Sequence, residues 1–288
     1  MAVCLLWGGN TEAAVPDRTD VSIIEDGIRF SESVYPYDGG LFISNYGSDK
    51  MSPRTDENKG YILYKKNGIS RVVTGQDGSL HKPLGLAVKD HFLFVCDAGR
   101  LLVYDLQNQA QKPQSIDFAS EGKIVNALAV DGDRLYVSVT DANSIYVLDI
   151  KDPSRLYGKV PKKWLDIPGP NGLAVKNGVL YIASIPTDFK TPGTNNVIYQ
   201  VKNLSHPRAE KLVDVPGLYD GIAVADDGQT VYFSDWQTAS VTAVDIGSGR
   251  RQIIYEGDGS GPADIAQADG VLYIPDLPHS RIVTIKTK

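Results

Sequence analysis

Cysteine is scarce in this sequence: its 288 residues include two, Cys4 and Cys96. Two thiols are too few for the disulfide framework of a small secreted domain or for a zinc site built on cysteines. Cys96 ends the apolar run Phe92-Leu93-Phe94-Val95-Cys96, which predicts a buried, unreactive side chain. The sequence therefore excludes both kinds of cysteine-based scaffold.

Clusters of positive charge and long apolar segments are missing too. The net charge is −6, and no basic run exceeds Lys162-Lys163 or Arg250-Arg251. Nucleic acids are bound by clustered Lys and Arg, so we expect no nucleic-acid partner. Outside the N-terminus, no stretch approaches the roughly 18 apolar residues that a membrane span requires. We expect no membrane span and a soluble mature protein.

The N-terminus resembles the end of a secretory signal. Residues 1–7 are mostly apolar, and small residues follow at Ala13-Ala14, although a cationic start is absent. We therefore expect a signal-like or disordered segment over 1–18, followed by a single domain over 19–288. This favours a periplasmic or secreted protein and leaves a cytoplasmic location open.

Sustained helical periodicity is also absent. Apolar runs of four to seven residues alternate with clusters of Gly, Asp, Asn and Pro, a pattern typical of β-strands. The sequence contains no nucleophile elbow, phosphate-binding loop, zinc-protease helix motif or dinucleotide-binding glycine motif. The predicted class is all-β, without those enzyme chemistries.

One short pattern recurs along the chain: an index residue, a short apolar strand, a turn, and a second apolar strand. Pro170-Asn171-Gly172-Leu173 shows it clearly, and Leu180-Tyr181 follows the index residue Asn171 by nine positions. The six index residues are Glu32, Leu84, Asn126, Asn171, Asp220 and Ala263. Each unit holds four candidate strands, so the repeat predicts a six-bladed β-propeller.

The two ends of the chain predict how the ring closes. The last unit stops after its third strand, Arg281–Lys286, and Val21–Gly27 resembles the fourth strands of other units. We therefore expect an N-terminal strand to complete the last blade and to remove an open edge. We also expect a monomer.

Two insertions, 46–60 and 185–195, fall between the second and third strands of their units. Such loops lie on the same face as the index residues, and long loops on one face of a scaffold often cover a site. Candidate substrate-binding residues on this rim are Asn45, Tyr46, Ser184, Tyr219 and Trp236. His279 and the strand-end acids Asp97, Asp235 and Asp276 lie nearby, and we expect the acids to bond turn backbone.

The first strand of every propeller blade lines the central channel, so the index residues should converge on one axis. Glu32, Asn126, Asn171 and Asp220 would bring two carboxylates and two amides together. This donor set suits a hard divalent cation, with Ca²⁺ preferred and Mg²⁺ or Mn²⁺ left open. Asp220 is also the candidate catalytic residue, as base or nucleophile.

These motifs resemble the gluconolactonase/regucalcin superfamily of six-bladed propellers, which includes senescence-marker proteins and diisopropyl-fluorophosphatase. The matching elements are Ser31-Glu32-Ser33, Val125-Asn126-Ala127, Pro170-Asn171-Gly172-Leu173 and Asp220-Gly221-Ile222. The resemblance covers the whole chain. It implies a divalent metal on those four residues and hydrolysis of a lactone or related ester, with a small molecule as substrate.

Two other functions fit the same pattern. Asp276-x-x-His279-x-Arg281-Ile282 resembles the NHL repeat, which predicts a non-catalytic propeller that binds a protein or small ligand around a structural metal. A lyase of the streptogramin type would share the fold. Fold alone does not separate these activities.

Overall fold

The computed structural model describes residues 20–51, 57–75, 77–118 and 120–287. The predicted N-terminal segment 1–18, Cys4 and residues 52–56 of the first insertion lie outside them. Within the described ranges, twenty-four β-strands form six four-stranded antiparallel sheets. The all-β propeller predicted from the repeat is confirmed.

Blades 1 to 5 each consist of four consecutive strands, numbered from the channel outwards. Blade 1 contains β2 (Ser31–Tyr37), β3 (Gly40–Asn45), β4 (Tyr61–Lys66) and β5 (Ile69–Thr74). Blade 2 contains β6 (Pro83–Lys89), β7 (Phe92–Asp97), β8 (Arg100–Asp105) and β9 (Gln114–Asp117). Blade 3 contains β10 (Val125–Asp131), β11 (Arg134–Val139), β12 (Ser144–Asp149) and β13 (Lys162–Asp166). Blade 4 contains β14 (Pro170–Lys176), β15 (Val179–Ser184), β16 (Ile198–Val201) and β17 (Glu210–Val213). Blade 5 contains β18 (Tyr219–Val224), β19 (Thr230–Asp235), β20 (Ser240–Asp245) and β21 (Arg251–Glu256).

Blade 6 is built from both ends of the domain. It contains β22 (Ala266–Ala268), β23 (Val271–Asp276), β24 (Arg281–Lys286) and, as its outer strand, β1 (Val21–Ile24). The antiparallel register pairs Ser22 with Thr284, and their hydroxyl oxygens lie 2.6 Å apart. The inner strands pack one against the next, and β22 packs against β2 to close the ring. The predicted closure by an N-terminal strand agrees with this arrangement.

Several hairpins turn on a pair of residues in the left-handed region. Asn177 and Gly178 have φ of 53° and 73°, and Asp269 and Gly270 have φ of 51° and 70°. Two consecutive positive φ values characterise the turn whose twist matches the flanking strands, and Asn-Gly and Asp-Gly adopt it most readily. These dipeptides therefore set the register of the inner hairpins.

The core lies between blades rather than within them. Phe42 and Ile62 of blade 1 pack against Leu93 and Val95 of blade 2, and all four are at most 2% exposed. Fully burying such a side chain stabilises the fold by about 1.5–3 kcal/mol. Each blade therefore depends on its neighbours.

One end of the ring carries the segments that matter for function. In blades 1 to 5 the start of the inner strand pairs with the end of the second strand, as Ser31 does with Asn45 and Pro170 with Ser184. The long connections after Asn45 and Ser184 leave from this end, which we call the mouth face. No helix in the described ranges is long and apolar enough to cross a membrane.

Candidate metal centre at the mouth of the channel

The inner strands of blades 1 to 5 share one irregularity near the mouth face. In each strand the pairing register skips two residues. The skipped pairs are Glu32-Ser33, Leu84-Gly85, Asn126-Ala127, Asn171-Gly172 and Asp220-Gly221. A bulge of this kind re-aims a side chain. The index residues found from sequence spacing are the first residues of these bulges.

The second bulge residue is small because the next blade lies against it. A methyl group at Gly85 would lie 2.4 Å from the Asn126 carbonyl oxygen. A methyl group at Gly172 would lie 2.5 Å from the Asp220 carbonyl oxygen. The bulges of adjacent inner strands are thus in direct contact, which brings the index residues into one ring.

Four side-chain oxygens of this ring are buried without a hydrogen-bond partner. They are Glu32 Oε2, Asn126 Oδ1, Asn171 Oδ1 and Asp220 Oδ1. A buried polar atom left unsatisfied costs about 1–3 kcal/mol, and such atoms in native proteins usually meet a water or an ion. Oxygen donors of this kind, two carboxylates and two amides, are what Ca²⁺ takes in proteins.

The carboxyl groups of the ring repel one another. Burial, and then the charges of Asp220 and Asp264, hold the pKa of Glu32 well above its usual value. Burial and the charge of Asp264 raise the pKa of Asp220 to about 8. A bound cation would relieve this repulsion, because it supplies the opposite charge that the buried acids lack.

Asp264 is a third channel carboxylate that sequence reasoning missed. In blade 6 the index position holds Ala263, and the acid occupies the next residue. Its Oδ2 accepts a hydrogen bond from the Ser33 hydroxyl at 3.0 Å, and its backbone N–H donates to the Glu32 carbonyl at 2.9 Å. The sequence signal was an acid at a position where the other units have Gly, Ala or Ser.

Acidic side chains alone do not make a metal site here. Across the described residues, no three His, Cys, Asp or Glu side chains have the spacing of a metal cluster. A metal centre on this axis must therefore use amide oxygens as well. The residues present fit a divalent cation on this basis, and Glu32, Asn126, Asn171 and Asp220 would hold it.

Three of the predicted substrate-binding residues use their polar groups in hydrogen bonds to nearby backbone. Asn45 Oδ1 accepts from the Arg29 N–H at 2.8 Å, and the Ser184 hydroxyl donates to the Pro168 carbonyl. The Tyr219 hydroxyl donates to the Val215 carbonyl at 3.0 Å. All three residues are at most 4% exposed. Their polar groups therefore stabilise the loops of the mouth face.

Tyr46 and Trp236 have a different setting. Tyr46 packs with the index residues Leu84 and Ala263 in one apolar cluster, and Trp236 lies against the same cluster. Burial, and then the charges of Glu32 and Asp220, raise the pKa of the Tyr46 hydroxyl well above its usual value. This hydroxyl thus stays protonated beside the carboxyl groups.

The strand-end acids bond in two ways. Asp97 accepts from the backbone N–H groups of His81 and Lys82, and Asp235 accepts from those of Gln237 and Thr238, as predicted. The prediction for Asp276 was wrong. Its carboxylate binds side chains instead, Arg281 Nε and His279 Nδ1, each at 2.7 Å. Arg281 offers a charged partner, which is stronger than a backbone amide, and His279 occupies the other carboxylate oxygen.

Beyond the ring, the channel continues as a cavity of about 300 Å³. Its lining combines small apolar side chains, Ala87, Ala129, Ala174 and Ala223 among them, with exposed polar atoms, and Asp264 is part of it. The oxygen ring therefore lies between the mouth face and this cavity.

Comparison with known proteins identifies the class of protein that this fold and site define. The family model described as "SMP-30/Gluconolactonase/LRE-like region" matches residues 83–282. The chain belongs to this family. A search of curated proteins found no match.

Solved structures share the fold at low identity. A structural genomics protein of unknown function from Bacteroides thetaiotaomicron is 12% identical, with a TM-score of 0.65 over 94% of this chain and 73% of that one. A chain of a nidogen/laminin complex is 16% identical, with a TM-score of 0.60 over 85% and 84%. A catalytically inactive histidine-to-alanine variant of virginiamycin B lyase from Staphylococcus aureus, solved with quinupristin, is 12% identical, with a TM-score of 0.60 over 93% and 99%. At these identities the likeness establishes the fold alone.

Proposed function

We propose that this protein is a metal-dependent hydrolase of lactones or related esters, with a divalent cation, Ca²⁺ in the first place, at the mouth of the channel. The observation that carries the proposal is the ring of four buried oxygens without partners. Membership of the gluconolactonase-like family supports the reaction class.

The protein's own residues divide into two roles. Glu32, Asn126 and Asn171, at most 5% exposed, would hold the cation rigidly because the bulges fix their direction. Asp220 retains partial exposure, which suits a group that reaches water and takes a proton from it. When bound, the ion would polarise the substrate carbonyl and stabilise the oxyanion.

The remaining ring positions would offer a substrate apolar contacts. Leu84 and Ala263 contribute no donor atoms, so that part of the ring is apolar. Tyr46 presents a protonated hydroxyl beside the carboxyl groups, and Trp236 supplies an aromatic surface. This combination fits a ligand with a polar carbonyl end and an apolar body.

The first test is calcium binding. Added Ca²⁺ should raise the melting temperature of the wild-type protein, because a ligand that binds only the folded state stabilises it. Asn171→Ala and Asp220→Ala should abolish that shift. Asn108→Ala and Asp214→Ala change exposed residues of the same types and should keep it. Identical melting of all variants with and without Ca²⁺ would refute the metal centre.

The second test is activity. Proton release over a panel of lactones and esters should require Ca²⁺ and should be lost in Asp220→Ala. A folded, calcium-loaded protein that is inert on the whole panel would contradict the hydrolase and would favour a non-catalytic binding propeller with a structural metal.

A further inference from the structure

Asp264 occupies a position where packing does not require an acid. The residues at the corresponding position in blades 1 to 5, the second residue of each bulge, are Ser33, Gly85, Ala127, Gly172 and Gly221. All are small, because the next blade lies against them. Blade 6 accommodates the larger side chain, whose carboxylate the Ser33 hydroxyl holds across the blade junction at 3.0 Å. The Ile222 N–H of blade 5 is its second hydrogen-bond partner. The partly exposed carboxylate still loses hydration here, so packing alone offers no reason for an acid in place of a small residue.

Asp264 lies directly beside a residue that carries one of the orphaned oxygens. Asp264 lines the channel, and its backbone N–H donates to the carbonyl of Glu32, the first residue of the ring. Its charge acts on both Glu32 and Asp220. Glu32 Oε2, Asn126 Oδ1 and Asn171 Oδ1, on residues at least nine-tenths buried, provide the independent indication of a ligand at this point.

After burial, the groups that raise the pKa of Glu32 are Asp220 and Asp264, and Asp264 also raises the pKa of Asp220. Negative charges therefore act on one another at this point. The three acids also lack the spacing of a direct metal cluster. This spacing argues for contact between Asp264 and an ion through water or through charge, rather than by direct coordination.

We propose that Asp264 is a further member of the metal centre, an outer carboxylate that acts on the cation held by Glu32, Asn126, Asn171 and Asp220. This inference rests on the proposed metal site and deepens it. The charge carried by its ligands is one of the quantities that tunes the affinity of a calcium site. Asp264 thus raises the affinity of this centre for Ca²⁺ and its preference for cations of higher charge. Ser33 is its positioning residue.

The test is direct titration with Ca²⁺ alone, by calorimetry at fixed pH and ionic strength. Asp264→Asn keeps the shape of the side chain and removes its charge, so we expect about tenfold weaker Ca²⁺ binding. Ser33→Ala, which removes only the orienting hydroxyl, should weaken binding less. Asp269→Asn is the matched control in the same blade: it changes an exposed acid at φ 51°, a conformation that Asn tolerates, and should bind like wild type.

Terbium gives a second measurement. The wild-type protein should prefer Tb³⁺ to Ca²⁺ by a larger factor than Asp264→Asn does, because a lost charge costs more with a trivalent ion. Melting of each variant without metal reports whether it is folded.

The outcomes separate the two proposals. Unchanged Ca²⁺ affinity and unchanged Tb³⁺ preference in folded Asp264→Asn would overturn the role of Asp264 and leave the metal centre intact. Wild-type protein that binds neither ion would overturn the centre itself, and the role of Asp264 with it.

Discussion

Two serines on the second strands connect neighbouring blades at the level of the oxygen ring. Ser138 accepts from the Ala127 N–H at 2.9 Å and donates to the Asn171 carbonyl of the next blade at 2.7 Å. Ser234 makes the same pair of bonds to Gly221 and Ala263. Each hydroxyl satisfies a donor and an acceptor that the bulge leaves without a strand partner.

Ser138→Ala should therefore destabilise the fold by about 1–3 kcal/mol, because it leaves a buried N–H and a buried carbonyl unpaired. It should also weaken Ca²⁺ binding, since the Asn171 backbone loses its support. Denaturant unfolding and calcium titration would measure both effects. Ser205→Ala, at an exposed position, is the control. Equal stability of the two variants would contradict this role.

Cys96 occupies the position in blade 2 that corresponds to these serines, twelve residues after the index residue. It is fully buried, as its apolar surroundings predicted. Burial, and then the charges of Glu32 and Asp264, raise the pKa of its thiol well above the usual value. The prediction of an unreactive cysteine agrees with that environment. The role of the serine position, a hydrogen bond to the next blade, was visible only in three dimensions.

Bulges in the inner strands are the elements that bring the ring together. A bulge leaves two residues free of the ladder, and sequence spacing alone does not say which of the two faces the axis. The index residue was assigned correctly to the first position of the bulge in blades 1 to 5. Asp264 was missed because the acid in blade 6 lies one residue further on.

The close contact at the second bulge position predicts that a larger residue at Gly221 destabilises the fold. A methyl group at Gly221 would lie 2.4 Å from the Ile265 backbone nitrogen, so Gly221→Ala must displace backbone. Overpacking of this kind costs about 1–3 kcal/mol. Gly247→Ala, where the nearest atom is 3.7 Å away, should be nearly neutral.

Thermal unfolding of the two glycine variants would measure the difference. The Gly221→Ala protein should also lose calcium affinity, because the neighbouring Asp220 moves with its strand. Matching melting temperatures for the two variants would show that the junction between blades 5 and 6 is looser than the structure indicates.

Strand ends show where sequence reasoning reaches its limit. The repeat predicted the strand Arg281–Lys286, and the structure has a strand with those bounds. Side-chain direction at those ends depends on tertiary contacts. Asn45 and Ser184 have the chemistry of substrate-binding residues, yet their hydrogen bonds are made within their own blades. The local sequence contains no signal for that choice.

At the scale of the whole molecule, the outer strand of blade 6 holds the ring closed. A variant that lacks residues 1–24 would lose β1 and expose the edge of β24, whose Ile282 and Ile285 are buried. We expect a lower melting temperature and a tendency to associate, because an uncovered edge pairs with other chains. A variant that lacks only residues 1–19 is the control. Melting and light scattering would test this, and equal behaviour of the two truncations would contradict it.

The composition of blade 6 also determines the order in which the molecule can be completed during synthesis. Blades 1 to 5 use consecutive strands, which can pair as they leave the ribosome. Ser22 can pair only when Thr284, 262 residues further along the chain, has been synthesised. At about 5–20 residues per second, that delay is roughly 15–50 s. During this time β1 has no partner strand, and the six inner strands that present the oxygen ring do not yet enclose an axis. The ring of oxygens that would hold the cation can therefore form only after the strands of blade 6 have been synthesised.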